Sequence, residues 1–172
     1  MRSLGVVVVD PASEDRAGLP GLIDRGLELP FMVVAPICPI GRDWGEASLV
    51  GAAFSSLALL APRHVASSLT ISGFSMGARG AWIASAQSLV SRALIVAGRT
   101  APDLLSAPAP TTQIKVVHGA VDDHQPASEM RDFCDRASRI GVAIEYKEVP
   151  GKGHFIADET YSRLDIIDWL NI

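Results

Sequence analysis

Gly73-Phe74-Ser75-Met76-Gly77 reads Gly-x-Ser-x-Gly, and what flanks it decides the fold. A short apolar run over 68–72 precedes it, and a helix-like run over 76–89 follows. Strand, sharp turn and helix in that order hold the serine in a strained backbone conformation at the strand end. The glycines let neighbouring chain segments approach closely. The helix starts beneath the hydroxyl, so its N-terminal N–H groups and positive dipole end face any anion formed there. A plain glycine turn would share the pentapeptide, so the rest of the chain has to decide between them.

Outward from this segment, strand-like and helix-like stretches alternate with little left over. Strands are expected over 5–9, 31–35, 69–72, 93–97, 114–118 and 142–149, and helices over 47–60, 76–89, 127–140 and 158–170. In the helix over 127–140, Met130, Phe133, Cys134 and Ala137 recur at three-to-four spacing. Runs such as Val6-Val7-Val8-Val9 are apolar without alternation, as strands buried on both faces require. The expectation is therefore an α/β fold: about six mostly parallel strands flanked by helices, forming one domain over residues 1–172. Only the Pro/Ala-rich segment 101–110 offers room for a lid, so a lid is expected to be absent or minimal.

Composition narrows the function classes. Apolar residues make up 48% and charged residues 20% of the chain, which argues for a packed core. The net charge of -4 and the lack of a Lys/Arg cluster give no reason to expect nucleic acid as a partner. The N-terminal apolar run is ended by Asp10-Pro11 and reads as a buried strand rather than an export signal. The helix over 47–60 is too short to span a bilayer, so no membrane partner is expected. Cys38 and Cys134 stand far apart without a CxxC pattern, which suits a reduced, cytoplasmic compartment. The strand over 31–35 would leave a sheet edge able to pair in a homodimer.

In a parallel sheet of this kind function gathers at the carboxyl ends of the strands. Three of those ends carry acid–base residues: Ser75, then Asp122 in His118-Gly119-Ala120-Val121-Asp122, then His154 in Gly151-Lys152-Gly153-His154. A serine hydroxyl attacks well only when a base takes its proton. His154 is the candidate base, and Asp122 would hold its tautomer and stabilise the imidazolium. Asp122 alone could be a turn former, Asp123 is a rival acid, and a histidine in a glycine loop is often only exposed. Three matches in the order Ser, Asp, His outweigh those separate readings. His118 is expected to end a buried strand, and His64 to lie in a surface loop. His124 beside the two aspartates has no spaced partners for a metal. Trp82 is expected to pack in the core, Trp44 to contact substrate, and Arg79 to pair at a helix surface.

Phe31-Met32-Val33-Val34-Ala35-Pro36-Ile37-Cys38-Pro39 followed by Trp44, the extended elbow Gly73 to Trp82, His118-Gly119-x-x-Asp122 and Gly-x-Gly-His154 together resemble a known family. It is the α/β-hydrolase superfamily, in the branch of esterases often labelled predicted peptidases, near the phospholipase/carboxylesterase and dienelactone-hydrolase groups. The resemblance covers most of the chain. It implies a compact α/β-hydrolase and a serine esterase with a Ser75–His154–Asp122 catalytic triad, without a cofactor, and the little sequence left for a lid points to small soluble carboxylic esters as its substrates. The same triad would also serve a thioesterase, a peptidase or an acyltransferase, and a non-catalytic binding protein could use a degenerate hydrolase scaffold.

The resemblance implies an oxyanion hole made by the N–H groups of Met76 and Ala12. The family usually carries His-Gly where this chain reads Asp10-Pro11, and proline has no N–H to donate. Larger relatives also place an antiparallel hairpin ahead of the first strand seen here, so this sheet is expected to be all parallel.

Overall fold

A computed structural model describes residues 4–7, 17–60, 69–100, 104–105 and 108–171. In chain order the elements are β1 (Leu4–Val7), α1 (Leu19–Asp24), β2 (Met32–Val34), α2 (Ala47–Leu60), β3 (Leu69–Phe74) and α3 (Met76–Ala84). There follow β4 (Val90–Val96), β5 (Gln113–Gly119), α4 (Ala127–Arg139), β6 (Ala143–Val149), α5 (Ala157–Tyr161) and α6 (Leu164–Leu170). The strands form one sheet in the order β2-β1-β3-β4-β5-β6, with every neighbouring pair parallel. The expected parallel α/β architecture is the one observed.

Strand residues alternate between two cores. Ile71, Ala93, Ile95, Ile114 and Val116 pack on one face with α2, α3 and α4. Leu94, Val96 and Val117 point to the other face, against Leu19 of α1, Tyr161 of α5 and Ile166 and Leu170 of α6. Side chains on both faces are buried, which is why these strands read as continuous apolar runs.

Two helices depart from the sequence reading for identifiable reasons. The helix expected over 76–89 ends at Ala84. The last turn tightens, with the Ala86 N–H on the Ile83 carbonyl at 3.2 Å and the Gln87 N–H on the Ala84 carbonyl at 3.0 Å, and the Ser85 carbonyl accepts the Ala109 N–H at 2.9 Å in place of a later helical amide. The helix expected over 158–170 is two helices, broken where Arg163 is extended (ψ 131). Ala157, Thr160 and Tyr161 are buried, and an unbroken helix would next bury positions 164, 165 and 168. Those are Leu164, 76% exposed, and two aspartates, whereas the apolar Ile166, Ile167 and Leu170 need burial. The break shifts the helix phase to match.

The chain runs from β1 outward to β2 at one edge, then returns past β1 to β3 and proceeds to β6. The strand order therefore reverses beside β3, where a crevice opens at the carboxyl ends. The residue that follows β3 is Ser75.

Candidate active site

Ser75 stands between β3 and α3 with φ 54 and ψ -113, a backbone conformation that non-glycine residues rarely adopt. The turn is tight enough to require glycine at Gly73, where a Cβ would lie 2.0 Å from the Gly77 carbonyl oxygen. The Ser75 N–H donates to the Val96 carbonyl of β4 at 3.0 Å, which pins the turn to the neighbouring strand. Met76 opens α3, so its N–H has no helical acceptor and is available at the cleft.

The loops after β5 and β6 are sewn together. Val121 N–H donates to the Lys152 carbonyl at 2.9 Å, and Ala120 N–H to the Val149 carbonyl at 3.0 Å. A Cβ on Gly119 would lie 2.1 Å from the Gly153 carbonyl oxygen, so glycine there lets the second loop cross directly over the end of β5. That crossing delivers His154 to Ser75. His154 Nε2 lies 2.9 Å from Ser75 Oγ, and His154 Nδ1 lies 3.0 Å from Asp122 Oδ2. A carboxylate only accepts, which places the proton on Nδ1 and leaves Nε2 to accept from the serine hydroxyl.

Asp122 is the acid in this chain of hydrogen bonds, and Asp123 is not. The Asp122 side chain is wholly buried, while that of Asp123 is 83% exposed and its nearest histidine contact is His124 at 3.9 Å. Burial acts to raise the Asp122 pKa. The amide N–H of Gln125 at 2.9 Å, the His154 ring and the amide N–H of His124 at 2.8 Å outweigh it, holding the carboxyl below its ordinary range.

The remaining predicted positions divide. Trp44 is 1% exposed and lines an apolar cavity of about 390 Å³ between α2 and the loop after β2. The cleft beside Ser75 takes its neighbour Asp43 instead. Trp44 therefore packs in the core and stands outside the lining of the Ser75 cleft, its large apolar ring being the part of this loop that burial rewards. Ala12, with Asp10-Pro11, and His64 lie outside the described residues. Cys38 and Cys134 are both buried. Among the described residues no helix is long and apolar enough to cross a membrane.

No protein-family profile matches the chain, and no curated protein sequence matches it. Solved structures do. A thermostable esterase, 20% identical, superimposes with a TM-score of 0.74 over 98% of this chain and 54% of its own. The present chain thus spans about half the length of that esterase. Esterase PE8, 18% identical, gives 0.68 over 98% of this chain and 89% of its own. Acyl-protein thioesterase 2 of Zea mays, also 18% identical, gives 0.64 over 99% and 93%. The chain has the α/β-hydrolase fold.

Within this hydrolase fold, several residues that had no part in the chemistry expected from the sequence also stand at the site. His124 stacks on His154, with ring centroids 4.2 Å apart and planes 5° from parallel. Phe74 and Phe155 border the same ring, at 5.2 and 5.5 Å. His118 is fully buried; its Nε2–H donates to the Gln125 carbonyl at 2.9 Å and lies 3.3 Å from Asp122 Oδ2. The cleft over Ser75, about 170 Å³, is also lined by Arg79 and Arg99. The signals for these were the His118-Gly119-x-x-Asp122 spacing and the extended elbow, which contains Phe74 and Arg79.

Proposed function

We propose that this α/β-hydrolase-fold chain is a serine hydrolase that cleaves small soluble carboxylic esters through an acyl-enzyme. One observation carries the reading: Asp122, His154 and Ser75 form a continuous hydrogen-bonded chain ending on a serine at positive φ.

In this scheme Ser75 Oγ attacks the ester carbonyl carbon while its proton passes to His154 Nε2. The carbonyl oxygen becomes an oxyanion held by the Met76 N–H, with the Ala12 N–H as the second donor. Collapse breaks the bond to the alcohol oxygen, which leaves with the proton from His154. Water then attacks the acyl-enzyme by the same route and regenerates Ser75. Asp122 stays ionised throughout and balances the imidazolium. The chemistry calls for no cofactor, and a thioester could enter the same scheme. The cytoplasm is the compartment we propose.

The test is hydrolysis of p-nitrophenyl acetate and butyrate by wild type and Ser75→Ala. Turnover in the wild type that falls by several orders of magnitude in the variant supports the mechanism. Equal rates in the two proteins would exclude it.

A further inference from the structure

The wall of the cleft carries more positive charge than the triad chemistry uses. Among the described residues it holds two guanidiniums, Arg79 and Arg99, and one carboxylate, Asp43. The chain as a whole has a net charge of -4, so this pair is a local arrangement and not part of a generally basic surface.

Arg79 is seated with some care. It projects from the first turns of α3, one helical turn after Ser75, toward the loop that carries Asp43. A Cβ on Gly45 would lie 2.5 Å from the guanidinium carbon of Arg79, so glycine there makes the space the side chain occupies. Asp43 balances it only at a distance, with Nη1 and Oδ1 3.9 Å apart, beyond hydrogen-bond reach. Asp43 Oδ1 already accepts the Gly45 N–H. The Nε of Arg79 is buried without a hydrogen-bond partner. The side chain as a whole is one-third exposed and lines the cleft, which leaves its terminal N–H groups within reach of a ligand there. Arg99 follows β4 on the other side of the nucleophile turn, where it is exposed at the mouth.

Two cations facing one carboxylate leave room for one further negative charge. Guanidinium forks match a carboxylate well, by paired N–H donors. We infer that the preferred ester carries a carboxylate close to its scissile bond, held by Arg79 and Arg99. This rests on the hydrolase reading above. It would make the cleft selective for half-esters of short dicarboxylic acids, or for esters of short hydroxy acids, over neutral esters of the same length.

The experiment compares monomethyl succinate, and separately O-acetylglycolate, with the neutral near-isostere methyl pentanoate, following proton release at low ionic strength. The expected kcat/KM ratio favours at least one anionic ester by about ten- to a hundredfold, as charged hydrogen bonds imply. The ratio should fall toward one in the Arg79→Gln/Arg99→Gln protein and be partly restored by Arg79→Lys with Arg99 intact, and added salt should reduce it. A wild-type ratio near one for both anionic esters, or a preference that survives the double substitution, would overturn the inference. Binding of monomethyl succinate and O-acetylglycolate to Ser75→Ala, followed by NMR, separates this result from a failure of the hydrolase scheme. At least one should bind more tightly than methyl pentanoate and lose that advantage without the two arginines. If neither does, the anion site is excluded whatever the rates.

Discussion

His124 lies flat against His154, the two rings 4.2 Å apart and 5° from parallel. One face of the candidate base is therefore covered by another imidazole, while hydrogen bonds to Asp122 and Ser75 hold its two nitrogens. Phe74 and Phe155 border the same ring from other directions. An aromatic contact of this kind contributes about 0.5–1.5 kcal/mol. His124→Ala should lower kcat/KM on a neutral ester by about two- to tenfold, and His124→Phe should recover most of the loss. Equal activity in wild type and His124→Ala would show that the stack does not orient the base.

Gly119 should tolerate no side chain. Its missing Cβ is the space through which Gly153 and Lys152 carry the His154 loop over β5. Gly119→Ala has to push that loop outward, and a shift near 1 Å at a reacting group can cost about 10²-fold in rate. The expected result is a folded protein, by circular dichroism, whose kcat is down by about that factor. Retained activity would mean that the loop can relax without moving the histidine.

Asp122 links the site to stability. Its unfolded pKa is about 3.9, and its folded pKa is lower. Between the two values the unfolded chain binds more protons, so the stability it contributes is present above about pH 3.9 and is lost as pH falls through the folded value. Asp122→Asn should flatten this dependence in urea midpoints measured from about pH 5 down to about pH 2. The same variant should lower kcat by about 10⁴-fold, since an amide cannot support the required tautomer. An unchanged acid slope would place the pH-dependent stability elsewhere.

Cys134 should be chemically silent in the folded protein. Burial, with a smaller contribution from Asp135, pushes its thiol up to about 12, and the thiolate is the reactive form. Alkylation at about pH 8, read by peptide mass, should spare Cys134 in the native protein and modify it in urea. Native-state modification would contradict the tight packing of α4 on the sheet.

The parts of the sequence that revealed this fold were those where backbone physics leaves few options. The glycines of 73–77, the apolar runs and the strand-end positions of Asp122 and His154 all report local geometry. The break before Leu164 was hidden, because acidic and apolar residues alternate there in a way that suits a continuous helix until burial is known. The early end of α3 was hidden too, since it involves the Ala109 N–H reaching the Ser85 carbonyl from a distant loop. Arg79 sits one helical turn after Ser75 and His124 two residues after Asp122, but Arg99 comes from the end of β4, so only the sheet order brings the three to one cleft. Trp44 shows the opposite failure: an aromatic in a loop suggests a surface contact, and the chain folds it inward.

The central claim is that His154 activates Ser75 as a nucleophile. Labelling the folded protein with a fluorophosphonate, then mapping the adduct by mass spectrometry, tests it directly. One adduct per chain is expected, on Ser75, formed far more slowly in His154→Ala. An unlabelled wild type, an adduct on another residue, or labelling at an undiminished rate in His154→Ala would contradict it.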